Sequence, residues 1–252
     1  MLAIFGAFGQ EVVDLRRRMA VEETVAGRGC TLYRGKLENK DTVLVKTGMG
    51  RERVEHATHF ALERYPVTAI ISQGFAGGLS PRLRIGDVVV CSKMQAAREA
   101  ERGWVSEGVC EPDAGLLALA SQGPGESAIP FSLGSSVTVL TLDASTSKLQ
   151  GLAEAFQADI VEMESYWIAR IAASRNIPFI AIRSISDTAQ ETVQPFDRIL
   201  SPDGRVLWGR AALAFLLHPW YLVNVYTLYK NTRPAKRNMA AFITYMAARI
   251  SV

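Results

Sequence analysis

The chain is punctuated by short apolar runs that each end in glycines or acids, and this recurrence leaves few folds open to it. Leu2 to Ala7 ends in Gly6-Ala7-Phe8-Gly9, and Val67 to Ser72 is followed by Gly74-Phe75-Ala76-Gly77-Gly78. Ala158 to Val161 gives way to Glu162-Met163-Glu164, and Phe179 to Ile185 to Ser186-Asp187. Unbroken apolar runs of this length read as strands buried on both faces. Stretches with helical spacing lie between them: Val12, Val13, Leu15 and Met19, then Val54, Ala57, Thr58, Ala61 and Leu62, then Ile168, Ile171 and Ala172. Recurrent strands joined by helices predict a three-layer α/β/α architecture.

The intervening chain fills in around that frame. Cys30 to Gly35 and Thr42 to Thr47 read as strands about a polar turn, and Leu83 to Val90 as a turn into another strand. Gln95 to Pro112, with Trp104 as its large anchor, reads as a surface excursion, and Ser121 to Ser127 as a loop. Ser136 to Leu142 reads as a strand, after which Asp143 or Ser145 caps a helix carrying Leu149 and Leu152. Three glycines within Gly74 to Gly78 imply either a backbone conformation that side chains forbid or a ligand pressed against the main chain. With 48% hydrophobic residues in 252, the chain can bury one large core, and no repeat or linker divides it. A catalytic domain over 1–203 with a helical extension over 204–252 is expected.

Ligands of open sheets bind at strand ends, which is where Glu11, Glu162, Glu164 and Asp187 fall. Each has a plain structural alternative. Glu11 suits the dipole of a helix start, Glu162, Glu164 and Arg183 suit an ion-pair cluster, and Asp187 suits a turn cap. His56 and His59 lie three apart on a helix without an acid in ligand spacing, so no metal is expected. Cys30, Cys91 and Cys110 form no C-x-x-C pair and fit a reducing cytosol. A signal peptide and a run of about 20 apolar residues are both missing from the pattern, so a cytoplasmic protein is expected.

Four stretches together resemble the nucleoside phosphorylase superfamily, and more closely its methylthioadenosine/S-adenosylhomocysteine nucleosidase branch. They are Ile4 to Glu11, Gly74 to Leu79 with Ile85-Gly86-Asp87-Val88-Val89, Val161-Glu162-Met163-Glu164, and Ile177-Pro178-Phe179 through Ile185-Ser186-Asp187. The resemblance implies a mixed-sheet α/β/α phosphorylase/hydrolase fold, a homodimer and no cofactor. It makes Asp187 the acid that protonates adenine at N7 and Glu11 the base that activates water. It gives Glu164 the ribose hydroxyls, packs Met163 on the sugar, has Ser186 hold Asp187, and adds Gly77, Phe75, Ala7 and Phe8 to the substrate-binding set. The first glycine turn lacks the Gly-Asp-Pro-x-Arg pattern of the phosphorylases, which favours water as nucleophile. Arg51, beside Gly48-Met49-Gly50, is the place where inorganic phosphate could be held.

The departures concern the outer end of the substrate. Phe75 stands where the nucleosidases usually carry Ser, Ser145 where an aromatic packs on adenine, and Gln95 to Pro112 is unlike the family's loop. After Asp203 come seven Lys/Arg and no acid, interleaved with Trp208, Trp220 and Tyr221. A first apolar segment from Val206 to Leu217 breaks at His218-Pro219, and a last one runs from Met239 to Ile250, beyond Pro234. That pattern suits packing on the sheet or a dimer partner, or helices lying on an anionic bilayer at the inner membrane face. Its apolar content argues against nucleic acid. The segment resembles the extension of hopanoid-associated members of the superfamily, which implies a lipid-linked nucleoside, adenosylhopane, as substrate.

Overall fold

A computed structural model describes residues 1–101, 103–125, 129–141, 146–188 and 221–250, the side chains of 146 and 221–231 excepted. In chain order the elements are β1 (Leu2–Gly6), α1 (Gly9–Arg18), β2 (Ala20–Ala26), β3 (Thr31–Leu37), β4 (Lys40–Lys46), α2 (Arg51–Arg64), β5 (Ala69–Gly78), β6 (Val88–Ala100), β7 (Gly103–Cys110), α3 (Ala114–Gln122), β8 (Phe131–Val139), α4 (Thr146–Phe156), β9 (Ile160–Glu162), α5 (Ser165–Ser174), β10 (Phe179–Thr188) and α6 (Tyr221–Arg249).

The strands make one mixed sheet in the order β10-β6-β8-β9-β5-β1-β4-β3-β2, with β7 paired to β6. β5 is its pivot. Over Leu2–Phe5 and Ala69–Ser72 it pairs in parallel with β1, and further along, at Gly77 and Gly78, it pairs antiparallel with β9. Its other edge carries β10, which pairs in turn with β6. The circuit β5-β10-β6-β8-β9 is therefore closed, and the glycine-rich half of β5 lies in its wall.

Residue alternation assigns the two faces. Ala3 and Phe5 of β1, Val43 and Val45 of β4, and Phe179 and Ala181 of β10 join a core with Val54, Ala57 and Ala61 of α2 and Trp167, Ile168 and Ala172 of α5. Leu2 and Ile4, Leu44, and Ile180 and Ile182 point the other way, to Val12 and Leu15 of α1, Leu116 and Ala120 of α3, and Phe242, Ile243 and Met246 of α6. The expected α/β/α layering is present. A third cluster joins Leu152 and Phe156 of α4 to Val137, Val139 and Val161.

Several sequence expectations change. β2 carried no strand signal because it is an edge strand with no buried residue, so alternation never arises. α3 escaped notice for the opposite reason, being short and almost uniformly apolar. Gln95 to Pro112 is not a surface excursion. It completes β6 and forms the β6–β7 hairpin, in which Gln95, Ala96 and Ala97 are buried. β8 begins at Phe131, five residues before its expected start at Ser136.

α6 is a single helix through Pro234 instead of a helix starting beyond it. Phe242, Ile243, Met246 and Ala247 are fully buried against the sheet, each large one contributing about 1.5–3 kcal/mol. That apolar face is committed to the core and is not offered to a bilayer. No helix among the described residues is long and apolar enough to cross a membrane. The expected segment Val206 to Leu217, the break at His218-Pro219, and the caps Asp143 and Ser145 lie outside the described residues.

Candidate active site

Glu11 is the third residue of α1, where its carboxylate reaches back over the turn that leaves β1. Its Oε2 accepts from the backbone N–H groups of Ala7 (2.6 Å) and Phe8 (2.9 Å), and its Oε1 accepts from the N–H of Phe75 on β5 (2.9 Å). Glu11 thus satisfies its own helix start and also ties it to β5. Burial pushes its carboxyl above the usual range, while the three N–H donors and the Arg183 charge pull it back. Gly74 is glycine because a Cβ there would stand 2.9 Å from Glu11 Oε1.

Asp187 lies at the far end of the same glycine run. β10 shifts register against β5 between Ile185 and Asp187, which sets Asp187 opposite Gly77. Such a bulge re-aims the following side chain. A Cβ on Gly77 would lie 3.3 Å from Asp187 Oδ2, and Ser186 Oγ donates to Asp187 Oδ1 at 2.6 Å. Burial raises the Asp187 carboxyl, opposed by that one hydroxyl. Gly74, Gly77 and Gly78 have none of the positive φ angles found elsewhere in the chain, so the run is strand, not turn. Gly74 makes room for the Glu11 carboxylate and Gly77 for that of Asp187.

Glu162 and Arg183 form a buried pair behind these groups, with 2.9 Å between Arg183 Nη2 and Glu162 Oε2 and side chains at most 1% exposed. Glu162 Oε2 also accepts from the N–H groups of Glu164 (2.9 Å) and Ser165 (2.7 Å) at the start of α5, and its Oε1 accepts from Thr138 Oγ1. Arg183 Nη2 donates further to Ser72 Oγ at 3.0 Å. Burial opposes the Glu162 charge, but Arg183 and these donors win and lower its pKa.

Glu164 differs in kind. Its Oε1 is buried with no hydrogen-bond partner among the described residues, and Glu164 lines a shallow pocket with Phe5, Gly6, Ala7, Thr47, Ser72, Gln73 and Ile168. Burial, then the charge of Glu162, push its pKa up to about 8, while Arg183 and the Gly50 N–H work in the other direction. The native state therefore binds a proton that the unfolded chain has released between about pH 4.5 and 8, so stability falls as pH rises through that window. Glu164→Gln, which cannot titrate, is expected to raise Tm by about 2–5 °C at pH 8.5 and to leave it nearly unchanged at pH 5, as read by thermal unfolding across pH.

Met163 is half-buried against the cluster of Val137, Val139, Leu152 and Val161, as are Leu79, Trp104 and Leu149. Gly50, with φ +87, precedes α2, and its N–H reaches Glu164. Arg51 is engaged as well: its Nε donates to Glu55 at 3.0 Å, and its guanidinium sits 4.3 Å over the Trp167 ring. His59 Nδ1 meets Arg175, His56 stacks on Phe60, and among the described residues no group of His, Cys, Asp or Glu is placed to hold a metal. The sequence reading overlooked Ser72 and Gln73. Gln73 Nε2 donates to the Glu11 carbonyl at 3.0 Å, and its buried Oε1 has no partner among the described residues. The available signal was two polar residues ending the apolar run Ala69-Ile70-Ile71.

A sequence model of the phosphorylase superfamily matches residues 1–204. The chain belongs to that superfamily. This phosphorylase-superfamily chain is 30% identical over 210 residues to a 5'-methylthioadenosine/S-adenosylhomocysteine nucleosidase of Tolumonas auensis, covering 79% of the chain and 91% of the relative. Against the enzyme of the same name from Aeromonas salmonicida it is 30% identical over 223 residues, covering 81% and 94%. In fold it is similar to the Neisseria meningitidis nucleosidase solved with methylthio-immucillin-A (TM-score 0.78, 20% identity, 99% of each chain). It is equally similar to the futalosine hydrolase of Helicobacter pylori (TM-score 0.78, 20% identity, 99% of this chain and 97% of that one).

Proposed function

We propose that this protein hydrolyses the N-glycosidic bond of a 5'-substituted adenosine and releases adenine. The observation that carries the reading is the seating of two carboxyls against one strand, Glu11 at Gly74 and Phe75 and Asp187 at Gly77. Breaking the C–N bond leaves positive charge on the sugar and negative charge on the base. Asp187 gives its proton to N7 of the departing adenine, a water attacks the anomeric carbon, and Glu11 takes the water's proton.

The surroundings divide these tasks. Both carboxyls are raised by burial, but three backbone donors favour the ionised form of Glu11, against one hydroxyl on Asp187. Glu164 grips the ribose hydroxyls with the acceptor that has no partner among the described residues, and Met163 packs on the sugar. Phe75, Gly77, Ala7 and Phe8 complete the substrate contacts. Water is the nucleophile, because Arg51 is already committed to Glu55 and Trp167.

For the 5' substituent we favour the triterpenoid of adenosylhopane. The supports are Phe75 in place of the usual small residue, a Gln95 to Pro112 sequence unlike the family's loop, and the acid-free basic stretch after Asp203. The nucleosidase relatives favour methylthioadenosine or adenosylhomocysteine as the second reading. Incubating the purified protein with each of the three, with and without phosphate, separates them. We expect adenine and free sugar from adenosylhopane in the presence of liposomes, at a rate that phosphate does not change. Faster turnover of the two soluble nucleosides would select the second reading, and a sugar 1-phosphate product would make the protein a phosphorylase.

A further inference from the structure

We infer that Asn238, on the C-terminal helix, is a positioning residue for Asp187 that acts through Gly86. The inference rests on the reading of Asp187 as the acid. Along one edge of β10 the ladder with β6 ends at Ser184 opposite Val88. Beyond that point the loop before β6 takes over: Gly86 N–H donates to the Ile185 carbonyl and Ile185 N–H to the Asp87 carbonyl, both at 2.9 Å. The Ile185 carbonyl belongs to the peptide plane that leads into Ser186, the residue whose hydroxyl holds Asp187. On the opposite edge β10 slips register with β5 at this same place, so that side fixes the plane poorly. The orientation of Asp187 therefore depends on how firmly Gly86 is held.

Gly86 cannot hold itself. It has no side chain, and its φ of +91 lies in a region that residues with a Cβ rarely adopt. The clamp comes from α6, where Asn238 Nδ2 donates to the Gly86 carbonyl at 2.8 Å. Pro234 closes over the same glycine, and a Cβ on Gly86 would stand 3.2 Å from its ring. α6 is itself a rigid support, since Phe242, Ile243 and Met246 one and two turns along are fully buried. Asn238 is 152 residues away from Gly86 in the chain, and its side chain links a helix outside the closed strand circuit to the loop that bonds the strand carrying the acid.

The test compares Asn238→Ala and Asn238→Leu, the second keeping the side-chain volume without the donor, alone and combined with Ser186→Ala. Steady-state kinetics are measured on whichever adenosyl substrate turns over, with Asp187→Asn alongside. We expect kcat to fall by about 10- to 100-fold in both variants, with KM within about threefold, because misplacing a reacting group by about 1 Å has effects of that size. Adding the Asn238 change to Ser186→Ala is expected to lower kcat by much less than it does in the wild type, since both act through Asp187. Wild-type kcat in the folded variants, or full additivity with Ser186→Ala, overturns the inference. If Asp187→Asn is inactive while the Asn238 variants turn over normally, the inference alone fails. Wild-type turnover by Asp187→Asn overturns the acid assignment and the inference together.

Discussion

Asp187→Asn is expected to lower adenine release by about 10³-fold, the scale of a lost general acid, without unfolding the protein. The amide has nearly the same shape and its oxygen still accepts from Ser186 Oγ, so the bulge in β10 keeps its bond. What it loses is the proton that adenine needs as it departs. Glu11→Gln is expected to have a smaller effect, about 10²-fold, because water remains a weak nucleophile against a cationic sugar. The substitution carries a second consequence. Glu11 takes three backbone N–H groups, and the amide nitrogen of Gln cannot accept one, so one donor is left unpaired. A drop in Tm is therefore expected for Glu11→Gln and not for Asp187→Asn. Adenine release in single-turnover assays, together with melting curves, reads both effects. Wild-type turnover in the two variants would show that the acids are misassigned.

The largest effect on stability is expected from Arg183→Met. Removing one member of a buried pair strands the other, at about 3–5 kcal/mol, which for a domain of this size lowers Tm by about 10 °C. Glu162 is the group left behind, enclosed by Arg183, Thr138 and the N–H groups that start α5. Two remedies distinguish stranded charge from lost packing. Lowering the pH protonates Glu162 and should shrink the difference between Arg183→Met and wild type. Combining Arg183→Met with Glu162→Gln, which keeps an acceptor for the α5 N–H groups, should recover more than half of the lost Tm. A double variant no more stable than Arg183→Met would assign the loss to the Arg183 bonds with Ser72 and the Ile182 carbonyl instead.

How much of this was legible beforehand depended on the range of the signal. The strands at Leu2, Ala69 and Phe179 announced themselves because burial on both faces demands an unbroken apolar run. The edge strand β2 left no such trace, since solvent on its exposed positions accepts polar residues in any order. The buried pairing of Glu162 with Arg183 was anticipated from two charges at the ends of apolar runs, which a core does not tolerate alone. The purpose of the glycines in β5 was not. Composition offered a turn or a ligand, whereas the space is taken by the carboxylates of Glu11 and Asp187, residues 63 and 110 positions away. Arg51 was a free cation on paper because its partners lie on α2 and α5, one helical turn and more than a hundred residues off. The basic, apolar tail invited a membrane, yet its last turns carry the apolar face that closes one side of the sheet.

The sequence by itself determined the layered fold and the positions of the acids, because strand burial and chain turns are written in neighbouring residues. Only the tertiary structure decided what each acid does for its neighbours. Glu11 bonds to Phe75, Glu164 keeps a buried oxygen without a partner among the described residues, and Asp187 hangs from a bulge steadied by the C-terminal helix. Those differences set their protonation. They arise from hydrogen bonds and burial between elements that only the folded chain brings together.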